Sequence, residues 1–134
     1  MPLELSQLNG LLANRQQSVH VGHLPIETRV HMGASHDMVH LSSYSLKHIL
    51  KKHDDLELFD LLIIPKLLEN GLWIGDRPNA CCISYLDSFK GIRYIAAIKA
   101  ADNGKEHYLT TFHKSHKRQT SALVKRGPTL RTHL

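Results

Sequence analysis

The sequence predicts an α+β fold in which N-terminal helices pack on a four-stranded antiparallel meander sheet. Up to Gly71 the apolar residues recur with the spacing of helices, whereas after Gly71 they alternate with the period of strands. Short links rich in turn-forming residues join the strand-like segments, which favours antiparallel pairing because a parallel pair needs a long crossover. With 134 residues the chain fits one domain (1–134), comprising an N-terminal helix and extended arm (1–41), a core (42–124) and a basic tail (125–134).

The N-terminal arm begins with a leucine-rich segment. Leucines at positions 3, 5, 8, 11 and 12 predict a short amphipathic helix over residues 3–14, interrupted by Gly10. Residues 17–33 alternate loosely between apolar and polar and are broken by Gly22, Pro25 and Gly33. We therefore expect two short strands or an extended arm over residues 17–33.

Two helical segments follow the arm. Ser42 and Ser43 are good N-cap residues for a helix over residues 44–53, whose apolar side ends at His53. A second helical stretch covers residues 56–70, but Pro65 lacks the amide hydrogen that a helix interior needs. We therefore expect a break there and a short last segment that begins at Pro65 and ends at Gly71 as its C-cap.

Four strands are predicted beyond Gly71, over residues 72–75, 80–86, 92–100 and 106–113. The tripeptide Asp102-Asn103-Gly104 between the last two is typical of a hairpin turn. Residues 114–123 are expected to form a closing helix. We expect Trp73 to lie in the core and Phe89 to anchor its turn, rather than either ring serving as a platform for nucleic-acid bases.

The composition sets limits on the class of protein. No apolar run reaches the roughly 18 residues that a membrane-spanning helix needs. The N-terminus carries an acid and lacks the basic-then-apolar order of a secretion signal, so a cytoplasmic location is the default expectation, although a domain of a larger secreted toxin would look the same. Cys81 and Cys82 are chain neighbours, poorly placed to share a metal or an unstrained disulfide, so we expect both to be reduced, small apolar residues.

Charge is distributed unevenly along the chain. The formal net charge is +5, yet residues 54–60 are rich in acids and residues 107–134 contain none. The basic residues of that last part are Lys114, Lys117, Arg118, Lys125, Arg126 and Arg131. A basic block without acids suggests a polyanionic partner, and the alternative interpretation is a solvated tail that contacts nothing.

The eleven histidines raise the question of a metal site. Neither HExxH nor CxxC occurs, and zinc sites need three or four ligands at suitable spacing. Gly-rich phosphate loops are also absent, and the second helix of a helix-turn-helix over residues 43–70 would be too apolar to present polar side chains to DNA. The histidine pairs close enough in sequence to share a metal are His20/His23, His36/His40 and His113/His116. Because none has the further ligands that such a site needs, we expect neither a metal nor another cofactor.

Acid–base chemistry by histidine remains, and its residues are concentrated in YLTTFHKSHKRQ (residues 108–119). RNA can be cleaved without a metal when a base deprotonates the 2′-hydroxyl, an acid protonates the leaving 5′-oxygen, and Lys or Arg neutralises the transition state. Histidine suits both proton-transfer roles because its ordinary pKa is about 6.5. Arg93 and Lys99 occupy odd positions of the preceding strand, so we expect them to project together from one face.

The order of the segments YSLKHILKKH, LFDLLIIPKLLENG, IRYIAAIKA and YLTTFHKSHKRQ resembles that of the barnase/colicin D/RelE-like endoribonuclease superfamily, and looks closest to its phage- and toxin-associated branch. The resemblance covers roughly residues 42–124. It implies an α+β core with a helix on a four-stranded antiparallel sheet, RNA cleavage without a metal, and a toxin held by an antitoxin or immunity protein. Barnase-like members use a glutamate base on a central strand, whereas the strands here offer only Asp87 at a turn, so the base must be a histidine or lysine.

These observations predict two sets of site residues. The catalytic candidates are His113, His53, His48, Lys99 and Thr111. The RNA-binding candidates are Arg93, Tyr108, Lys114, His116, Lys117 and Arg118. For His53 the alternative is a hydrogen-bonded core histidine, and for His48 it is a plain surface residue.

The predicted function is a metal-independent, toxin-like endoribonuclease whose partners are RNA and an antitoxin or immunity protein. Two alternatives stay open at this point. One is a non-catalytic RNA- or DNA-binding module that uses the same basic surface, and the other is a protein-interaction domain whose basic tail is incidental. An enzyme of ADP-ribosyl transfer has no support, because nothing resembles an NAD site. The sequence leaves a homodimer open.

Overall fold

The computed structural model describes residues 3–76, 78–101 and 106–131. Within these ranges the chain forms five α-helices, one 3-10 helix and seven strands. In chain order they are α1 (Leu5–Leu12), β1 (Ser18–His23), α2 (Ile26–Met32), β2 (Met38–Ser42), α3 (Ser43–Lys52), the 3-10 helix (Leu58–Ile63), α4 (Ile64–Asn70), β3 (Leu72–Gly75), β4 (Ala80–Asp87), β5 (Ile92–Ala100), β6 (His107–Ser115), α5 (Lys117–Arg126) and β7 (Thr129–Arg131).

All seven strands belong to one mixed sheet with the order β1-β2-β6-β5-β4-β3-β7. Neighbouring strands are antiparallel except β2 and β6, which are parallel and are joined by a connection long enough to contain helices. The α+β class is confirmed, but the sheet is larger than the predicted four-stranded meander. The four predicted strands lie side by side as β3 to β6, and β1, β2 and β7 extend the two edges. The predicted hairpin turn at residues 102–104 lies outside the described residues.

The N-terminal arm contains a helix that the sequence pattern did not indicate. β1 agrees with the first of the two expected strands, whereas the second expected strand is wrong, because residues 26–32 form α2. Pro25 precedes α2 with a φ of −61°, which is already suited to a helix start. Gly33 ends α2 in the left-handed conformation, with a φ of 61° that favours glycine. Gly10 does not interrupt α1, which continues through it.

The two central helical segments agree with the prediction. α3 begins after Ser42, whose side-chain oxygen accepts a hydrogen bond from the amide of Ser45 at 3.0 Å. The second stretch is divided as expected near Pro65, since the 3-10 helix precedes α4 and Pro65 lies in the first turn of α4. Gly71 ends α4 with an ordinary φ of −78°. Glycine is needed there because a Cβ atom would collide with the carbonyl of Leu67 and the side chain of Ile83.

Apolar residues are buried on both faces of the sheet. The main core lies between one face and helices α1, α3 and α4, and its largest side chains are Trp73, Tyr94 and Phe112. The expected burial of Trp73 is thus confirmed. A smaller cluster consists of Ile74, Ile95 and Leu123 of α5. Ile95 follows Tyr94 along β5, and successive strand residues face opposite sides, so α5 covers the other face.

The C-terminal part of the chain is more ordered than the predicted tail. The closing helix is confirmed as α5, although it begins at Lys117. The basic tail predicted for residues 125–134 is partly structured, because residues 125 and 126 belong to α5 and residues 129–131 form β7, which pairs with β3. Residues 132–134 lie outside the described part of the chain.

Two further expectations concern side chains. Phe89 is 97% exposed, so the prediction that it anchors its turn is wrong. Cys81 and Cys82 are both free, and burial raises the pKa of the Cys81 thiol, as expected for a small buried residue. Among the described helices, none is both long enough and apolar enough to cross a membrane.

Candidate active site

The edge of β6 brings two of the predicted catalytic histidines together. β2 pairs with β6 at His107 and Tyr108. β2 leads directly into α3, and α3 also contacts β6. His53, the C-cap residue of α3, meets His113 near the end of β6. Their ring centroids are 5.2 Å apart with a tilt of 31° between the planes. Both side chains are half-buried.

The surroundings of this pair favour the neutral form of His53. Burial lowers the pKa of His53, and the neighbouring ring of His113 and the charge of Lys52 lower it further. His53 is therefore neutral near pH 7 and can accept a proton. Nδ1 of His113 lies 3.0 Å from the carbonyl oxygen of Lys114. Since a carbonyl oxygen only accepts, this nitrogen carries a proton, and Nε2 is the nitrogen available to a ligand.

Lys114 is the next residue of β6 after His113, so its side chain points to the opposite face of the strand, where a buried acid holds it. Its Nζ atom lies 3.9 Å from Oδ2 of Asp60, whose residue is only 9% exposed. Asp60 also accepts hydrogen bonds from the Tyr94 hydroxyl at 3.1 Å and from the Glu57 amide at 2.8 Å. Burial, followed by the Asp60 carboxylate, raises the pKa of Tyr94, which therefore remains a donor. These contacts fix the carboxylate, so that Lys114 is oriented while still reaching solvent.

Asp60 and Tyr94 were not among the predicted site residues. Along the sequence Asp60 is one member of an acidic run. One signal could have distinguished it, because Glu57 and Asp60 have the three-residue spacing of a capping box, which they form at the start of the 3-10 helix. No local pattern relates Tyr94 to Asp60, which is far away in the chain.

His48 and Thr111 lie near the pair. His48 is exposed on α3, where its ring stacks on that of Tyr44 at a centroid distance of 6.3 Å, and its charge also contributes to the lowered pKa of His53. Thr111 precedes His113 by two residues on β6 and therefore lies on the same face of the strand. Its half-buried side chain is thus beside the imidazole of His113.

Lys99 and Tyr108 are not part of this arrangement. His113 lies opposite Ile95 of β5, whereas Lys99 lies opposite Tyr108, four residues further along the strand. Because a β-strand rises about 3.3 Å per residue, Lys99 and Tyr108 lie about 13 Å away from the pair. Tyr108 donates its hydroxyl hydrogen to Glu106 instead. Arg93 and Lys99 share one face of β5 as expected, but about 20 Å of strand separates them.

Positive charge continues from the pair along the surface. Arg93 lies opposite Ser115, at the end of β5 that is nearest to His113, and is half-buried. His116, Lys117 and Arg118 are exposed at the start of α5 and line a shallow depression with Ser121. The RNA-binding candidates other than Tyr108 therefore surround the end of β6 that carries His113.

A second group of histidines lies at the opposite end of the same edge. The rings of His20 and His23 are 4.8 Å apart, and those of His20 and His40 are 5.9 Å apart. His40 also lines a cavity of about 380 Å³ together with His36 and Tyr108. Within residues 3–76, 78–101 and 106–131, no three His, Cys, Asp or Glu side chains are grouped so that they could hold a metal ion.

Comparisons of the chain with protein-family models, with curated proteins and with solved structures give no match. The function is therefore inferred from the residues and from their arrangement.

Proposed function

We propose that this protein is a metal-independent endoribonuclease in which His53 and His113 transfer the protons. The observation that carries the proposal is the 5.2 Å approach of two half-buried imidazole rings. The pKa of His53 is lowered by burial and by His113, so that the His53 ring is neutral near pH 7. General acid–base catalysis needs such a neutral base next to a group that can donate a proton.

The two histidines would act around a single phosphate. Neutral His53 takes the proton of the 2′-hydroxyl, whose oxygen then attacks the adjacent phosphorus. His113, in its protonated form, gives the Nε2 proton to the leaving 5′-oxygen as the P–O bond breaks. The products are a 2′,3′-cyclic phosphate and a 5′-hydroxyl. Arg93, which shares the sheet face of His113, would neutralise the charge that builds up on the non-bridging oxygens in the transition state.

The remaining residues would bind and orient the substrate. The Thr111 hydroxyl is suited to a hydrogen bond with the reacting phosphate, because it lies beside His113 on the same face. Lys114, Lys117 and Arg118 would contact flanking phosphates, which supplies affinity without sequence information. Lys99 takes no part in this proposal because of its distance of about 13 Å along the strand.

The resemblance to toxin-associated nucleases adds a biological setting to the proposal. We expect the protein to act on RNA in the cytoplasm, and an antitoxin or immunity protein to neutralise it. Such a partner would have to cover the pair of His53 and His113, and acidic side chains would complement the basic residues around it.

Incubation with total RNA in EDTA tests the proposal. The unaltered protein should release fragments with 2′,3′-cyclic phosphate ends. The His53→Ala and His113→Ala variants should each lose about a hundredfold to ten-thousandfold of the rate, because each removes one proton-transfer group. The pH dependence of kcat/KM should be bell-shaped, with its acid limb below the ordinary histidine pKa, because the pKa of His53 is lowered.

Two variants serve as matched controls. His36→Ala removes an exposed histidine of the second histidine group, and Lys99→Ala removes a cation from the far end of β5, so both should cleave at the unaltered rate. Cleavage that continues in both the His53 and the His113 variants would refute the assigned roles.

A second candidate function is a non-catalytic RNA-binding module. The exposed Lys117 and Arg118 at the start of α5 favour it, because they can neutralise phosphates without any chemistry. RNA that stays intact in the cleavage assay but shifts on a gel at low salt would support this module and contradict the nuclease.

A further inference from the structure

Two phenylalanine rings are open to solvent at the end of the sheet that carries the His53–His113 pair. Phe59 of the 3-10 helix is 59% exposed, and Phe89, in the turn between β4 and β5, is 97% exposed. Lys90 connects them, because it follows Phe89 in the chain and its Nζ atom lies 5.3 Å from the centroid of the Phe59 ring. We call Phe59, Phe89 and Lys90 the aromatic platform.

Contacts through Asp60 join the platform to Lys114 near the end of β6. Phe59 precedes Asp60, and the Asp60 carboxylate is bonded to Tyr94 and lies 3.9 Å from the Nζ atom of Lys114. Lys114 in turn follows His113 on β6. The turn that carries Phe89 is tied to the sheet by Asp87, whose carboxylate accepts a hydrogen bond from the Phe89 amide at 3.2 Å. The platform is therefore held to the end of the sheet at which β6 carries His113 and Lys114.

The chemistry of the platform restricts what it can bind. Exposed phenyl rings favour an apolar or planar aromatic partner, and the cations Lys90, over the Phe59 ring, and Lys114, beside Asp60, favour an anion. A nucleic acid with unpaired bases meets both conditions, since each base offers an aromatic face next to a phosphate. In a duplex the base faces are covered by their neighbours in the stack and cannot reach a protein ring without being unstacked.

We propose that the aromatic platform stacks unpaired bases next to the cleaved phosphate, so that the substrate is single-stranded RNA. This inference rests on the proposed nuclease function, because RNA is a substrate only if the protein cleaves it. The stacking itself can be tested by binding alone. Base stacking on an aromatic ring tolerates any sequence, so the platform selects unpaired RNA rather than a particular base.

Binding to RNA that cannot be cleaved tests the proposal. The probe is a short, fluorescently labelled 2′-O-methyl RNA, alone or annealed to its complement, and binding is followed by fluorescence anisotropy at fixed salt. The Phe59→Ala and Phe89→Ala variants should each bind the single strand about 5-fold to 150-fold more weakly, and should bind the duplex as the unaltered protein does. Phe89→Leu should lose most of the same affinity, because leucine keeps apolar area without an aromatic face.

The matched control is Val30→Ala on α2, which removes an apolar side chain of 76% exposure on an element that contacts β3 and β7. It should bind both probes normally. Thermal unfolding of each variant checks that it is folded. Equal affinity for single strand and duplex, unchanged binding by both phenylalanine variants, or full affinity in Phe89→Leu would each overturn the platform.

Cleavage measured in parallel separates the platform from the nuclease. If the protein binds single strands through both rings but leaves RNA intact, the platform stands and the nuclease fails. If it cleaves paired and unpaired RNA at equal rates, and the phenylalanine variants do so too, the nuclease stands and the platform fails.

Discussion

The hydroxyl of Tyr94 is expected to stabilise the fold by holding the Asp60 carboxylate, and Tyr94→Phe isolates that contribution. Phenylalanine keeps the packing of the ring, so no cavity forms and only the 3.1 Å hydrogen bond is lost. Tyr94 is fully buried and Asp60 nearly so, which leaves little room for water to replace the donor. A hydrogen bond to a charged group contributes about 1.5–3 kcal/mol, and the free energy of unfolding should fall by that amount.

The ion pair of Asp60 with Lys114 should contribute less. Its separation is 3.9 Å, and the Lys114 side chain is 31% exposed, so solvent screens it and Lys114→Met should cost about 1 kcal/mol or less. Urea unfolding followed by the fluorescence of Trp73, the single tryptophan, measures both variants. Tyr44→Phe, at a residue that is 79% exposed, is the control and should change stability by less than about 0.5 kcal/mol. A loss no larger in Tyr94→Phe than in Tyr44→Phe, or a larger loss in Lys114→Met, would refute this reasoning.

Two further predictions concern stability. Burial lowers the pKa of His107, and His36 and His40 lower it further. Below about pH 6.5 the unfolded chain therefore binds more protons than the folded chain. The stability contributed by neutral His107 is complete above that pH and is lost as the pH falls toward the pKa of the folded state. His107→Leu should flatten this fall between about pH 7.5 and 5.5 in urea titrations, whereas the exposed His116→Leu should keep it, and equal slopes would contradict the assignment. Gly71→Ala should lower the free energy of unfolding by about 1–3 kcal/mol because of its collisions with Leu67 and Ile83. In Gly10→Ala the new Cβ atom would have no neighbour closer than 3.9 Å, so the free energy of unfolding should rise by about 0.5–1 kcal/mol. Thermal unfolding in which the Tm of both variants moves in the same direction would disprove the packing argument.

The sequence by itself determined the elements that local forces control. The serine cap and the apolar spacing predicted α3, the proline marked the division before α4, and the alternation of apolar residues predicted β3 to β6 close to their observed bounds. It also indicated the end of β6 as the basic, histidine-bearing part of the chain. These features depend on residues a few positions apart, whose side chains meet within one turn or one strand.

The tertiary structure decided what depends on residues far apart in the chain. Residues 26–32 form a helix rather than a strand, and the parallel pairing of β2 with β6 follows from no local signal. That pairing places α3 along the edge of β6 and so brings His53 to His113, whereas the length of β5 keeps Lys99 away from both. Asp60, Tyr94 and the exposed Phe89 likewise acquire their roles only through contacts between separate elements. The pairing of distant strands and the packing of layers set these distances, whereas the periodicity of apolar residues reports only which face of each element is buried.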